Sequence, residues 1–476
     1  MKFSRTILMA VTASAFLLQA CTTSAEDEYL DIRFMSEAEF NQLPLKQQEL
    51  MLTNYYLEVL YVNADKELQN YSYYQDQGEK NGYSETRYEF PDVEYMYSTL
   101  SDNFTKYFSP ALTETIMSRL FYSEEEIGIG ADFEEIIGIS CVAEGFCNDS
   151  NTLVFKHVYL NGPADKIGIQ KGDTLYHING LVPRNEQQLE RIIAVFDAGE
   201  SIPISVKRGE EIIPLTITFD TYMTPTVFVD EVDSIPVITI TEFTDSTTME
   251  SGTYGEFIEA LNQTEGAEAT ILDLRGNPGG TVPLCIAMAA ELLPKNDTVI
   301  TIVEHTADSI TDEPYIDTTI YVTDKDGIAA NRYYVILADA GSASCAEIMI
   351  AGVASNTKSP IVGSTTYGKG IGQSYLGTVA GGLTGITNLK FLDKNWNSYH
   401  KYGIVPDFEE SNKDRAMQKA VELAQAKTAT RTAGYGTVDT GHFTLAKSKS
   451  EKTFDRGAFK YYSDPNKFLP KRFPLN

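Results

Sequence analysis

The segment that decides the fold is Tyr333–Ser355, which reads YYVILADAGSASCAEIMIAGVAS. Its first part, Tyr333–Ala340, is a short apolar run rich in strand-forming residues and predicts a buried strand. A glycine and a serine then interrupt the run, and Cys345–Ser355 places its apolar residues on one helical face. Ser344 is therefore expected at a strand–turn–helix corner, at or next to the N-cap of the helix.

Strands alternate with helices on both sides of this corner, from about residue 227 to residue 426. The predicted elements are Val237–Ile240, Gly252–Leu261, Thr270–Leu274, Val282–Leu293, Val299–Val303, Tyr333–Ala338, Cys345–Ser355 and Pro360–Gly363. This alternation is typical of a layered α/β domain. The polar stretch Ser309–Arg332 interrupts the pattern, and we expect an inserted hairpin or loop there.

Ser344 has two interpretations. Serine is favoured at helix N-caps, so it can simply cap the helix. It can also be a nucleophile, but a hydroxyl is weakly nucleophilic and needs a base close by. Lys369, in Thr366–Gly370 (TYGKG), can be that base because burial lowers a lysine pKa and favours the neutral amine. Gln373 can accept a hydrogen bond from the amine and hold it in place.

A nucleophile also requires donors for the oxyanion that it generates. The N–H of Cys345 lies at the N-terminus of the predicted helix, where donors are free and the helix dipole is positive. A second donor is expected from Gly279 or Gly280, in the turn after the strand Ala269–Leu274. These residues predict an oxyanion hole next to Ser344.

These motifs resemble those of the C-terminal processing (tail-specific) serine peptidases. That family has a serine in a GSASASE-like segment, a lysine in a TFGKG-like segment and a glutamine four residues later. Leu272–Gly280 (LDLRGNPGG) resembles its DLRxNPGG turn, and Gly403–Asp407 (GIVPD) resembles its GIxPD element. The resemblance implies that Ser344 is the nucleophile, Lys369 the general base and Gln373 an orienting residue. It implies no metal and no organic cofactor.

The chain departs from the family pattern at positions that carry no catalytic group. Cys345 and Ala346 replace the usual Ala-Ser after the nucleophile, and Ser364 replaces an acidic residue before the lysine. Gly372 replaces a β-branched residue beside the glutamine. With these departures, the resemblance does not define the shape of the pocket.

A second module precedes the α/β pattern. Gly162–Pro183 (GPADKIGIQKGDTLYHINGLVP) contains a helix start, two turn glycines and an alternating strand. A predicted helix and two strands follow at Glu186–Phe196, Ile202–Val206 and Ile212–Ile217. This pattern resembles a PDZ domain, which binds extended peptides by strand addition. The carboxylate-binding loop is then expected at Ile127, Gly128, Ile129 and Gly130, although an ordinary strand entry is an equal alternative.

The whole chain is predicted to be a multidomain α/β and α+β protein. We divide it into a lipoprotein signal peptide (1–20), a helical N-terminal region (21–125), a PDZ-like β-rich domain (126–220), an α/β layered Ser/Lys peptidase core (227–426) and a basic tail of unassigned role (427–476).

The N-terminus has the pattern of a targeting segment. Lys2 and Arg5 precede the apolar run Ile7–Leu18, which is too short to span a bilayer. Leu18–Cys21 (LQAC) resembles a bacterial lipoprotein signal box, in which Cys21 is lipidated. We therefore expect an exported protein, periplasmic or at the cell surface, that contacts the membrane through its lipid anchor alone. Plain secretion, with Cys21 incidental, is the alternative.

The charge balance is strongly acidic, with 38 Lys and Arg against 67 Asp and Glu and a net charge of −29. This balance opposes nucleic-acid binding, which needs clustered basic residues. The tail is the exception, since residues 427–476 hold ten basic and four acidic residues. We expect this tail to fold onto the acidic body or to touch membrane phospholipid.

The remaining cysteines and histidines suggest no competing chemistry. Cys141 and Cys147 are close enough in sequence to form a small disulfide loop, or to stay free. Cys285 is expected in the core, and Cys345 lacks a local signature of a papain-like thiol site. No histidine pair has metal-ligand spacing. A Ser-His-Asp triad that uses His400 remains an alternative, because triads assemble in space.

Three functions follow in order of preference. The first is an exported serine endopeptidase that cleaves proteins with exposed C-terminal tails, which dock on the PDZ domain. The second is a catalytically inactive PDZ scaffold lipoprotein that binds tails without turnover. The third is an acyl-transfer hydrolase for a small substrate, which leaves the PDZ domain without a task.

Overall fold

The computed structural model describes residues 32, 35–121, 125–141, 147–149, 151–247, 249, 251–307, 314–357, 359–433 and 451–453. These residues form a helical N-terminal region, a β-rich unit and a layered α/β body. The predicted fold class is therefore confirmed. The predicted signal segment and Cys21 lie outside the described residues, as does most of the basic tail.

Short helices make up most of the N-terminal region. They are α1 (Glu37–Phe40), α2 (Leu45–Leu60), α3 (Ala64–Glu67), α4 (Tyr71–Tyr74), α5 (Pro91–Ser98) and α6 (Pro110–Phe121), with strand β1 (Lys106–Phe108) before α6. Their apolar side chains share one core around Leu57 and Met96, and Ile386 from a much later strand is part of it. This shared core fixes the N-terminal region on the α/β body.

The β-rich unit follows as residues 125–223. Its elements are β2 (Glu125–Gly128), β3 (Ala131–Ile136), β4 (Ile139–Cys141), β5 (Cys147–Asp149), β6 (Thr152–Val158), α7 (Pro163–Lys166), β7 (Thr174–Ile178), α8 (Glu186–Ile193), β8 (Ser201–Arg208), β9 (Glu211–Thr218) and β10 (Asp220–Met223). Five strands form one sheet in the order β3-β6-β7-β8-β9, and β2 pairs with β10. Leu189 of α8 packs with Phe155 and Ile204 in a separate core. Strand β3 lies at the edge of this sheet, where a further strand can be added.

The α/β body contains the remaining elements. Its helices are α9 (Gly252–Gln263), α10 (Val282–Ala290), α11 (Cys345–Thr357) and α12 (Lys413–Ala433). Its strands are β11 (Val227–Val232), β12 (Ile235–Ile240), β13 (Ala269–Asp273), β14 (Thr298–Ala307), β15 (Pro314–Val322), β16 (Tyr333–Ala338), β17 (Ile361–Gly363), β18 (Ile371–Gly377), β19 (Leu383–Leu392) and β20 (Phe408–Glu409), followed by β21 (Glu451–Thr453) in the tail. Among the described residues, no helix has the length and apolar character that a membrane crossing requires.

The central sheet has the order β11-β12-β13-β16-β17-β20 and is parallel from β12 onward. Successive residues of a strand face opposite sides of the sheet. Ile238 and Ile336 accordingly pack in the core that holds α9, α10 and α11. Val237 and Val335 pack in the core that holds α12. Helices on both faces explain why these strands read as continuous apolar runs.

A second sheet carries the rest of the site. Its order is β1-β19-β14-β15-β21, and β18 also pairs with β19. The polar stretch expected as a hairpin or loop contains β15, which pairs with β14 and makes a hairpin. The described part of the tail, β21, pairs with β15, so these three residues lie on the body.

Candidate active site

Ser344 lies at the corner between β16 and α11, as the sequence predicted. Its φ of +53° is in the left-handed region, which costs a residue with a side chain about 1 kcal/mol. Neighbouring backbone hydrogen bonds hold the corner: Ala343 N–H donates to Asn277 O at 2.9 Å, and Tyr367 N–H donates to Ser342 O at 3.0 Å. Strain of this kind is typical of functional turns, where the surrounding structure imposes it.

Glu347, three residues after Ser344, connects the serine corner to the lysine loop. Its Oε2 accepts the Ser344 N–H at 3.0 Å and the Lys369 N–H at 2.7 Å. Its Oε1 accepts the Gly368 N–H at 2.7 Å and a hydrogen bond from the Thr366 hydroxyl. Since one oxygen atom binds both backbones, Ser344 and Lys369 are held side by side. Sequence analysis did not select Glu347.

The same contact explains why the cap interpretation of Ser344 is incomplete. A Ser-x-x-Glu sequence forms a capping box, in which the glutamate binds the serine N–H and the serine hydroxyl binds the glutamate N–H. Only the first half is present here. In the described part of the chain the Ser344 hydroxyl makes no hydrogen bond, so the cap does not occupy it. The spacing of the capping box was the signal that could have identified Glu347.

Lys369 is held in a loop that two glycines allow to pack closely. A Cβ on Gly368 would lie 2.8 Å from Gly403 N, and a Cβ on Gly370 would lie 2.9 Å from His400 N. Burial lowers the pKa of Lys369, and the nearby carboxylates of Asp102 and Glu347 partly oppose this effect. The net direction favours the neutral amine that a general base requires.

Gln373 lies on β18, and its amide Nε2 donates to Thr387 Oγ1 at 3.1 Å. Among the described residues it makes no hydrogen bond with Lys369, so its orienting role stays a prediction. The neighbouring Gly372 makes room for a large side chain, because a Cβ there would lie 2.7 Å from Phe391 Cζ. This contact accounts for one departure from the family pattern.

The predicted oxyanion donors differ in availability. Gly279 N–H donates to Asn277 Oδ1 at 2.8 Å, so Gly279 is not the free donor that the sequence suggested. Its role is steric, since a Cβ there would lie 2.7 Å from Ser344 Cβ. In the residues that the structure describes, the N–H groups of Gly280 and Cys345 make no hydrogen bond. These two groups are the available donors beside Ser344.

Two family models match parts of the chain. Residues 234–410 match the model of peptidase family S41, and residues 154–208 match a PDZ domain model. We refer to residues 234–410 as the S41 domain and to the β-rich unit as the PDZ domain, after the models that match them. Both matches fall inside the domain ranges expected from the sequence.

Curated relatives of the chain include bacterial proteases. A probable CtpA-like serine protease of Staphylococcus saprophyticus is 27% identical over 319 residues, which cover 66% of this chain and 59% of the relative. The carboxy-terminal processing protease CtpA of Bacillus subtilis is 28% identical over 327 residues, which cover 68% and 64%. The matched region thus spans less than two thirds of the length of these relatives.

Solved structures with similar folds are more distant. A putative S41 protease from Bacteroides fragilis is 14% identical with a TM-score of 0.46, and the match covers 81% of this chain and 98% of that one. A photosystem II D1 C-terminal processing protease is 19% identical with a TM-score of 0.44, and the match covers 78% and 94%.

A disulfide in the S41 domain was not anticipated. Cys285, expected only as a core residue, is bonded to Cys345, the first residue of α11. Both residues are fully buried. The bond joins α11 to α10, which begins at Val282, just after the Gly279–Gly280 turn. Cys141 and Cys147 lie opposite each other in the β4–β5 hairpin, and their pairing stays a prediction.

His400 lies next to the lysine loop of the S41 domain, as the contact with Gly370 places it. Burial and the nearby Lys401 lower its pKa. Among the described residues it makes no hydrogen bond with Ser344, which the triad alternative requires. The described residues also contain no group of three or more metal-ligating side chains.

The candidate carboxylate loop of the PDZ domain is only partly loop. Ile127 and Gly128 belong to β2 and pair with β10. Ile129 is buried, and its carbonyl accepts the Ala164 N–H at 2.8 Å. Gly130 has a φ of +69° and leads into the edge strand β3. The strand-entry alternative therefore describes the first two residues, and carboxylate binding by the others stays a prediction.

Proposed function

We propose that the protein is a serine endopeptidase of the C-terminal processing type. In this proposal, the Ser344 hydroxyl attacks the carbonyl carbon of the scissile peptide while Lys369 Nζ takes its proton. Lys369 then returns this proton to the leaving amine, and water hydrolyses the acyl-enzyme. The observation that carries the proposal is the Glu347 carboxylate, which binds the backbones of both residues inside an S41 domain.

The oxyanion donors proposed for this reaction are the N–H groups of Gly280 and Cys345. Two preorganised donors of this kind stabilise the negative charge that develops on the carbonyl oxygen. Cys345 adds the positive end of a helix dipole, because it is the first residue of α11. Gln373 is proposed to orient Lys369 when substrate is bound.

The proposed substrates are proteins with exposed C-terminal tails. A tail is proposed to add as a strand to the free edge of β3 in the PDZ domain, with its carboxylate near Ile129 and Gly130. The name of the Bacillus subtilis relative, a carboxy-terminal processing protease, supports this substrate class.

We further propose export and lipidation at Cys21. Metabolic labelling with a radioactive fatty acid tests this step, because Cys21→Ala is expected to abolish the label.

The test of the proposed function is cleavage of a stable folded substrate with and without an unstructured apolar tail. We expect the tailed substrate to be cleaved faster, and this advantage to fall when the terminal carboxylate is amidated. Ser344→Ala is expected to bind the tailed substrate and leave it intact. If the unmodified protein also binds the tail without cleaving any substrate, the scaffold function replaces the peptidase.

A further inference from the structure

A segment of the N-terminal region lies against the catalytic lysine. The ring of Phe104 faces Lys369, with Nζ 4.8 Å from the ring centroid. Strand β1, which follows Phe104 directly, pairs with β19 through Lys106, Tyr107 and Phe108. The segment is therefore fixed to the sheet that also carries β18.

Hydrogen bonds fix the conformation of this segment. Asp102 Oδ1 accepts the Phe104 N–H at 3.0 Å. Asp102 Oδ2 accepts the N–H of Thr105 at 3.1 Å and its hydroxyl at 2.7 Å. Three hydrogen bonds to one carboxylate make a rigid turn, so the backbone of Phe104 has little freedom to move away from Lys369.

The same segment also reaches Gln373. Thr105 Oγ1 accepts the Thr387 N–H at 3.0 Å, and Thr387 Oγ1 accepts the hydrogen bond from Gln373 Nε2. Thr105 and Thr387 are both buried. One turn of the N-terminal region thus contacts Lys369 through a ring and Gln373 through a chain of hydrogen bonds.

We propose that Phe104 is a positioning residue for Lys369, so that the N-terminal region completes the catalytic site. The ring forms one wall of the pocket that holds the amine and keeps it in contact range of the serine corner. This proposal rests on the proposed function, in which Lys369 is the general base.

Phe104 acts on Lys369 in two opposed ways. Its bulk excludes water and favours the neutral amine, whereas the face of its ring attracts the ammonium ion. The other groups near Lys369 are the carboxylates of Asp102 and Glu347, which favour the charged form, and the ring of His400 beside Gly370. Burial outweighs these carboxylates. We expect the exclusion of water by the Phe104 ring to outweigh its attraction for the ammonium ion as well.

This balance predicts opposite results for two substitutions. Phe104→Ala admits water, so we expect Lys369 to titrate at higher pH, by on the order of one pH unit. Phe104→Leu keeps water out and removes only the aromatic face. We expect Lys369 in that variant to titrate at the wild-type pH or lower, with activity close to wild type.

The experiment is competitive acetylation of Lys369 over a pH series, read by peptide mass spectrometry, together with the pH profile of kcat/KM. Phe408→Ala is the matched control, because Phe408 faces Lys419 Nζ at a similar 5.2 Å on the surface. Circular dichroism checks that each variant is folded. The acetylation result does not depend on turnover. If wild type proves inactive, the proposed function is refuted, but the acetylation result still tests the position of Phe104.

The expected result is that Lys369 titrates at higher pH in Phe104→Ala than in wild type. No such increase is expected in Phe104→Leu or Phe408→Ala. The proposal is overturned if Lys369 of folded Phe104→Ala titrates as in wild type. It is also overturned if Phe104→Leu and Phe104→Ala raise the titration pH equally.

Discussion

At the scale of single residues, the site depends on a buried carboxylate that no catalytic step uses. Glu347 is fully buried and accepts four hydrogen bonds. These replace the hydrogen bonds that water would donate to the charged carboxylate if it were exposed. Three of the four donors are backbone N–H groups of Ser344, Gly368 and Lys369. Glu347 therefore sets the separation between the serine corner and the lysine loop.

Replacement of Glu347 by glutamine tests this role. An amide has one acceptor oxygen, so it cannot bind all four donors, and we expect kcat/KM to fall by on the order of 100-fold. Removal of the charge also lowers the pKa of Lys369, because Glu347 is one of the groups that raise it. The rising limb of the pH profile, along which Lys369 loses its proton and becomes active as a base, should therefore move to lower pH. Glu410→Gln, which breaks a surface ion pair with Arg415, is the control.

The signal for the proposed catalytic residues was local, whereas the signal for the residues that support them was not. Ser344 and Lys369 stand in short motifs with recognisable spacing, so the sequence alone selected them as candidates. Phe104 and Thr105 reach the site only after β1 pairs with β19, and no spacing along the chain predicts that contact. The hydrogen bond from Gly279 N–H to Asn277 depends on the geometry of the turn. The sequence therefore could not distinguish Gly279 from Gly280 as the oxyanion donor.

At the scale of elements, the helices α10 and α11 hold the two sides of the proposed oxyanion hole. The turn with Gly280 leads into α10, and Cys345 begins α11. The Cys285–Cys345 disulfide closes a loop of 60 residues between them. Helix bounds differed little from expectation, but α10 ends at Ala290 rather than Leu293.

Loss of the disulfide should destabilise the S41 domain. We expect Cys285→Ala with Cys345→Ala to lower the free energy of unfolding by about 2–4 kcal/mol, because the crosslink restricts the unfolded chain. Chemical denaturation with and without a dithiol reductant measures the effect. Wild type should lose stability in reductant and the double variant should not. Equal stability of wild type and the double variant without reductant would contradict the prediction.

At the scale of the whole molecule, the β-rich unit meets the α/β body through a histidine. His157 of β6 bonds Asp132 of β3 at 3.2 Å through Nδ1 and Asp230 of β11 at 3.2 Å through Nε2. Burial lowers the pKa of His157, but the hydrogen bonds to the two carboxylates outweigh it and raise the pKa overall. Lys171 also pairs with Asp230. Sequence analysis did not select this contact, because its residues lie in three separate strands.

This contact predicts a pH-dependent stability. A raised histidine pKa stabilises the folded state below the unfolded pKa of about 6.5. The stabilisation, on the order of 1 kcal/mol, is lost as pH rises through the higher folded pKa. Thermal unfolding of wild type between about pH 5.5 and 8.5, with His157→Gln beside it, measures the effect. If the difference in Tm between the two proteins does not shrink as pH rises, the histidine does not carry this stabilisation.

The central claim is that Ser344 and Lys369 act together, and the most direct test is proteolysis of an unstructured protein by wild type, Ser344→Ala and Lys369→Ala. Ser355→Ala, on the same helix, and Lys80→Ala, on the surface, are matched controls. We predict that the two site variants remain folded and lose all measurable cleavage, while both controls cleave at the wild-type rate. Full activity of folded Lys369→Ala would contradict the account and place the general base elsewhere.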